Sequence, residues 1–239
     1  EPIADTALVA APLLDAERRQ SIAAGKLKVA LADPVNPWIA DLDSADLLLA
    51  GGEAIAPPAD PVPLDSVDPL RRLFAPVDGA LNSALVDRAA LIAAAQLIGG
   101  AEQMLALATD YAKTREQFGQ PIGAFQAIKH HLATVAVRLE FARPVLWRAA
   151  LALQQGAARA PVHVSHAKVA ATDAAMLAAE TAIQVHGAMG YTYEVDLHFW
   201  MKRAWALAGA WGDRAFHLRR VAAATIDGGM SIGPETTFA

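Results

Sequence analysis

The stretch Asn82 to Thr114, NSALVDRAALIAAAQLIGGAEQMLALATDYAKT, decides the fold. Its apolar positions recur at spacings of three and four, the signature of a helix with a buried face. Alanine, the best intrinsic helix former, supplies many of them. Tyr111-Ala-Lys-Thr-Arg115 closes the segment with a basic turn, where cations complement the negative end of the helix dipole. Downstream, Gly119-Gln-Pro-Ile-Gly123 breaks the pattern, and 124–155 read as a second long helix with at most a kink at Pro144. Gly156 to Pro161 reads as a linker, and 163–186 as a third helix closing at Gly187. A fourth runs from about Trp200 to Ile226, with a break near Gly212. Helices of about 30 residues are about 45 Å long. Four of them joined by short loops predict an antiparallel bundle.

Upstream the character changes. Residues 5–25 read as one or two short helices that stop at Gly25. Lys26-Leu-Lys-Val-Ala-Leu31 alternates like a strand, and Asp46-Leu-Leu-Leu-Ala50 runs into the turn signal Gly51-Gly52. Prolines at 57, 58, 61, 63 and 69 confine their segments to edge strands or loops, because each removes a backbone donor. This is a loop-rich β module of about 50 residues, too small to stand alone. The apolar stretch Ile3 to Leu14 has no basic region before it and does not read as a signal peptide. The sequence is expected to begin part-way into a fold.

Composition narrows the function classes. The 239 residues are 54% hydrophobic with a net charge of −5, too apolar for a disordered chain and without the basic face that nucleic acid needs. The absence of cysteine excludes disulfides, thiolate zinc sites and cysteine nucleophiles, and leads us to expect a cytoplasmic protein. Every long apolar run is interrupted by charged or polar residues, so no membrane span is expected.

Two stretches carry chemistry. In Arg115-Glu-Gln-Phe-Gly-Gln-Pro-Ile122, followed by Phe125-Gln126, a guanidinium at a helix end beside a glycine turn suits a pyrophosphate. Alone, it reads more readily as solvated Arg115 and Glu116, a core Phe118 and a plain turn. In Gln184-Val-His-Gly-Ala-Met-Gly-Tyr191, a helix end runs into bare backbone beside an amide that both donates and accepts. Alone, it is a helix cap and a glycine loop.

Together, at the ends of long helices, these two stretches resemble the acyl-CoA dehydrogenase family. The resemblance covers roughly residues 80–227 and fades across 1–79. It implies a mainly α fold: a remnant of an N-terminal helical domain (1–25), a reduced β module (26–79) and a C-terminal four-helix bundle (80–239) that binds flavin and oligomerises. It implies FAD as cofactor, shared between two subunits. Arg115 would hold the pyrophosphate with Gln117 and Phe118 beside it, and Ile122, Phe125, Gln126 and Ile128 would lie along the cofactor. Gln184, Val185, Gly187 and Ala188 would meet the adenosine end from the neighbouring chain. Ala188 stands where the family usually has a second glycine, and Tyr191 matches the aromatic that ends the motif.

Such flavoenzymes take a proton from the α carbon of an acyl thioester, usually with a glutamate, while the β hydride goes to FAD. Counted from Arg203, taken as the basic residue before the last long helix, one glutamate position falls on Gly212. Counted back from Arg115, the other falls on Ala89. Neither side chain accepts a proton. Asp213 follows Gly212 directly and is either the base or the N-cap of the segment 214–227. Asp87, two residues before Ala89, reads as a surface or ion-pair residue. No glutamate stands three residues before any histidine, so the di-iron bundle pattern fails and no metal is expected. His186 is expected to pack or hydrogen-bond near the cofactor. Tryptophans such as Trp147, Trp200, Trp205 and Trp211 signal core and interface, and Trp211 is placed to line an acyl pocket.

The resemblance therefore implies a shortened dehydrogenase subunit acting on an acyl-CoA thioester within a homo- or hetero-oligomer, most simply a tetramer. In heteromeric members, including those acting on sterol side chains, one subunit type lacks the base. The alternatives are an autonomous enzyme with Asp213 as base, an oxidase, and a non-catalytic structural subunit.

Overall fold

The computed structural model describes residues 3–51, 53–77, 84–231 and 233, the side chain of residue 84 excepted. Gly52 and the expected 79/80 boundary lie outside the described residues.

The N-terminal segment turns through Asp5–Ala10 and Ala11–Leu13 into helix α1, Ala16–Ala23, whose first turn is capped by the Asp15 carboxylate accepting from Arg18 N at 2.8 Å. Strand β1 (Val29–Leu31) pairs in parallel with β3 (Leu47–Ala50), which pairs antiparallel with β4 (Glu53–Ile55). A second small sheet places β6 (Leu73–Phe74) between β2 (Ile39–Ala40) and β5 (Pro63–Leu64), so Pro63 lies on an edge strand as proline chemistry requires. The segment 26–31, read as a strand, forms one over Val29–Leu31, and Val29, Ala30 and Leu31 are all buried. Val29, Leu31 and Leu49 join the core of the helical bundle, while Ala30, Leu48 and Ala50 pack with Ile39, Leu42 and Phe74 on the other side. The Thr6 hydroxyl closes the outer edge of β1, donating to Val29 O at 3.1 Å and accepting from Val29 N at 3.0 Å.

The bundle is built on α2, Ala84–Thr114, with α3 (Gln126–Gln154) and α4 (Ala160–His186) following it. Its buried positions, among them Ala90, Ala94, Leu97, Ala101, Met104 and Ala108, form the central core. By length and composition alone α2 would also suffice to cross a bilayer, contrary to the expectation that no segment would. Here that apolarity is spent inside the bundle. Pro161 opens α4 within its first turn, where its missing N–H costs nothing, so the third helix starts three residues earlier than expected. The expected fourth helix is two: α5, Leu197–Gly209, and α6, Arg214–Ala222. Arg203 therefore lies within a helix rather than ahead of one.

Arg203 ties that helix to the β module through an ion pair with Asp68, whose side chain is 2% exposed. Removing the guanidinium leaves a buried carboxylate without its counter-charge. Arg203→Ala is expected to lower stability by roughly 2–3 kcal/mol in urea unfolding, and Asp68→Asn added to it should recover part of that loss.

Candidate functional site

The Arg115 segment is not a simple turn. Arg115 follows the last residue of α2, and the next residues form a hairpin of β7 (Glu116–Gln117) and β8 (Gln120–Pro121). Phe118 (φ 53°) and Gly119 (φ 79°) both adopt the left-handed conformation, as a two-residue type I′ turn demands. Glycine does so freely; a phenylalanine there carries strain. The Phe118 ring is 92% exposed, not core, and meets Phe125 edge-on with centroids 6.2 Å apart. Among the described residues the Arg115 guanidinium has no ion pair or side-chain hydrogen bond, which leaves it free for an anion. Ile122 and Ile128 are half-buried against the bundle core, and Gln126 is exposed at the start of α3.

Within this chain the second motif packs beside the first. Tyr111, one turn before Arg115, stacks on His186 with ring centroids 4.4 Å apart and planes 24° apart. His186 Nδ1 donates to Ala182 O at 2.7 Å, so this buried histidine packs between the two motifs. Gln184, Gly187 and Ala188 are exposed. Val185 is buried, so its side chain supports the floor of a groove that also includes Ile128, His131 and Gln184. The arrangement presents one guanidinium, several amides and an exposed aromatic ring on one end of the bundle, a donor set suited to a phosphorylated, ring-bearing ligand.

The turn between α5 and α6 is the other notable place. Trp211 (φ 58°) and Gly212 (φ 96°) are consecutive left-handed residues, held from two sides. From the β module, Asp33 accepts from Trp211 N at 3.0 Å and Asn36 Oδ1 from Gly212 N at 3.1 Å. From the bundle, the Lys168 ammonium, 1% exposed, donates to Leu207 O and Ala208 O at 3.0 Å and to Gly212 O at 3.4 Å. It thus satisfies carbonyls that a helix end leaves unpaired. His217, fully buried, lies 3.0 Å from Trp211 O and 3.1 Å from Ser165 Oγ. A carbonyl only accepts, so Nε2 carries the proton and Ser165 donates to Nδ1. Burial and the nearby Lys168 charge push the His217 pKa down to about 4 and keep the ring neutral. None of Lys168, His217, Asp33 or Asn36 was singled out in the sequence, which pointed here only through Trp211, Gly212 and Asp213.

This turn leaves no space for a side chain. A Cβ on Gly212 would overlap the Phe216 ring and reach His217 Nε2 at 3.0 Å. Asp213 caps α6, its Oδ1 accepting from Phe216 N at 2.7 Å, while its neighbour Arg214 pairs with Asp173. Ala89 is 1% exposed in the core, and Asp87 pairs with Arg220 at 2.7 Å. Trp211 was expected to line an acyl pocket. The space beside it, between Asp5, Arg71 and Arg203, is about 40 Å³, room for a few waters and not for a chain.

Burial lowers the Lys168 pKa from 10.5 to about 8. The folded chain therefore sheds this proton before the unfolded one does, and stability is expected to rise with pH between about 8 and about 10.5. The rise is up to about 3 kcal/mol, read as a higher urea midpoint. In Lys168→Met that rise should vanish.

Residues 80–226 match the family described as acyl-CoA dehydrogenase, C-terminal domain. Over 216 residues the chain is 36% identical to acyl-CoA dehydrogenase IpdE2 of Mycobacterium tuberculosis, covering 84% of this chain and 64% of that one. Over 140 residues it is 40% identical to acyl-CoA dehydrogenase FadE34 of the same organism, covering 58% and 20%. It thus spans less than two thirds of these curated relatives. Among solved structures, the Tcur3481–Tcur3483 steroid ACAD superimposes with a TM-score of 0.84 at 22% identity, and the ChsE4–ChsE5 complex of Mycobacterium tuberculosis with 0.81 at 22%. Each covers 95% of this chain and 76% of the other, and at such identity the likeness is one of fold. With a family match across most of its length and a close relative sharing over a third of its residues, this chain belongs to the acyl-CoA dehydrogenase family.

Proposed function

We propose that this chain is a subunit of an FAD-dependent acyl-CoA dehydrogenase whose flavin site is composite and whose catalytic base comes from a partner dehydrogenase chain. The observation that carries this reading is the filled turn at Gly212, where the family resemblance puts a glutamate and where no side chain fits. The other glutamate position, Ala89, is sealed in the core. The chain therefore supplies binding surface, and the proton is taken elsewhere.

The cofactor fits the donors at the bundle end. Arg115 would hold the pyrophosphate, with Gln117 and Phe118 beside it, while Gln184, Gly187 and Ala188 would meet the adenosine end of the flavin held by a neighbouring chain. Ile122, Phe125, Gln126 and Ile128 would line its path, and Val185 would act through the groove floor. Bound FAD supplies the hydride acceptor for α,β-dehydrogenation of an acyl-CoA thioester. Arg115 and Lys113 offset the negative end of the α2 dipole, which would otherwise repel a phosphate. The exposed Phe118 ring excludes water once a second chain covers it. We extend the reading to bulky sterol-type thioesters, in line with the steroid ACAD among the fold relatives, and place the reaction in the cytoplasm.

The test is to isolate the native complex and read its chain composition by intact mass and its flavin by absorbance. Two kinds of dehydrogenase chain with bound flavin are expected. Arg115→Ala should weaken flavin binding at least about tenfold, the value of a lost charge-assisted hydrogen bond. Asp213→Asn keeps a good N-cap and should leave turnover unchanged. Flavin-free material sinks the composite site, and loss of turnover in Asp213→Asn would return the base to this chain.

A further inference from the structure

The two motifs share one interior feature, the stack of Tyr111 on His186. Tyr111 is half-buried and His186 is buried, so neither ring forms part of the outer surface that Arg115, Phe118 and Gln184 present. With planes 24° apart and centroids at 4.4 Å, the rings attract each other beyond the area they bury.

Each ring underlies one motif. Tyr111 O accepts from Arg115 N at 2.8 Å, and Arg115 O accepts from Ile122 N at 2.8 Å. The base of the hairpin is therefore closed on the helical turn that carries Tyr111. The short turn Ile122–Ala124 then crosses α2 so closely that a Cβ on Gly123 would lie 2.9 Å from Ala112 O. In the second motif, the bond from His186 Nδ1 to Ala182 O holds the ring against α4. The turn Gly187–Tyr191 folds back over that helix end, where a Cβ on Gly190 would lie 2.9 Å from Ile183 O and 3.2 Å from His186 Cβ. Neither loop has room to shift without the helical turn beneath it. The Arg115 side chain, exposed and without an ion pair or hydrogen bond among the described residues, is placed by its backbone alone. That backbone rests on Tyr111, and Tyr111 rests on His186. A charge-assisted hydrogen bond needs its donor placed to within about 0.5 Å, so such support decides how well the guanidinium binds.

We infer that Tyr111 and His186 are a positioning pair, through which the Gln184–Tyr191 turn sets the place of the Arg115 guanidinium. The inference rests on the flavin reading above. It adds that a residue of the second motif controls what a residue of the first can hold. A plain packing role would cost stability alone; a positioning role makes the worth of Arg115 depend on the stack.

The test is a double-mutant cycle on the native complex, stripped of flavin and titrated with FAD, with the dissociation constant read from flavin fluorescence. Arg115→Ala alone is expected to weaken binding about tenfold. Tyr111→Leu keeps an apolar side chain at the half-buried site and is expected to weaken binding about three- to tenfold, with unchanged helical circular dichroism. The complex carrying both should bind only about tenfold more weakly than wild type, where independent effects would multiply to about thirty- to a hundredfold. His186→Leu, made in the other motif, should show the same non-additivity with Arg115→Ala, and it completes the cycle if Tyr111→Leu does not fold. Tyr111→Phe keeps the stack and should bind as wild type does. Losses that multiply in these cycles, or wild-type affinity in Tyr111→Leu, overturn the inference and leave the flavin reading standing. Flavin binding indifferent to Arg115→Ala overturns the flavin reading, and the inference with it.

Discussion

The Lys168 ammonium lies among the last carbonyls of α5, groups that a helix end leaves without donors. Burying a charge there is tolerable because three carbonyls receive it and because its pKa falls toward neutrality. Those same contacts stop α5 at Gly209 and force the chain to reverse through two left-handed residues before α6. Asp33 and Asn36 grip the reversed backbone from the β module, so one turn joins α4, α5, α6 and the N-terminal third of the chain. Loosening that ammonium would loosen the relation between the bundle and everything before it.

The consequence for chemistry is local and severe. A position at φ 96° that abuts Phe216 and His217 cannot carry the long carboxylate a base requires. Strain at functional sites is usually retained for a purpose; here it accompanies a closed position, while the small cavity nearby has charged Asp5, Asp41, Arg71 and Arg203 in its wall beside Leu70, Leu207 and Trp211. The opposite condition holds at the other end of the bundle. Arg115, Phe118 and Gln184 are exposed, beside the Tyr111–His186 stack that joins the two motifs. On the proposed reading, a chain closed where the proton would be removed and open where a cofactor would be held would be completed by another.

Long, strongly periodic segments were the legible part. The 3.6-residue pattern of 82–114 depends only on neighbours along one helix, so α2, α3 and α4 emerged with their ends displaced by a few residues. The prolines of the β module marked loops and an edge strand for the same local reason. Asp213 as an N-cap was readable too, because capping needs a carboxylate and an amide only three residues apart. The hairpin at Phe118 was not, since a phenylalanine at positive φ is a choice that local preference opposes and the surrounding strand pairing imposes.

From the sequence alone came the helical bundle, the proline-broken β segment, the family resemblance and the lack of a glutamate at both expected positions, because each depends on residue type and short-range spacing. Only the tertiary structure decided that both faces of β1 are buried, that Val185 and His186 lie beneath the motif rather than on it, and that the bundle turns at Trp211–Gly212. Those outcomes rest on contacts such as Lys168 with Leu207, Asp33 with Trp211 and Arg203 with Asp68, which join residues 39, 178 and 135 positions apart. No pattern confined to one stretch of chain encodes such meetings; they exist only once the helices have packed.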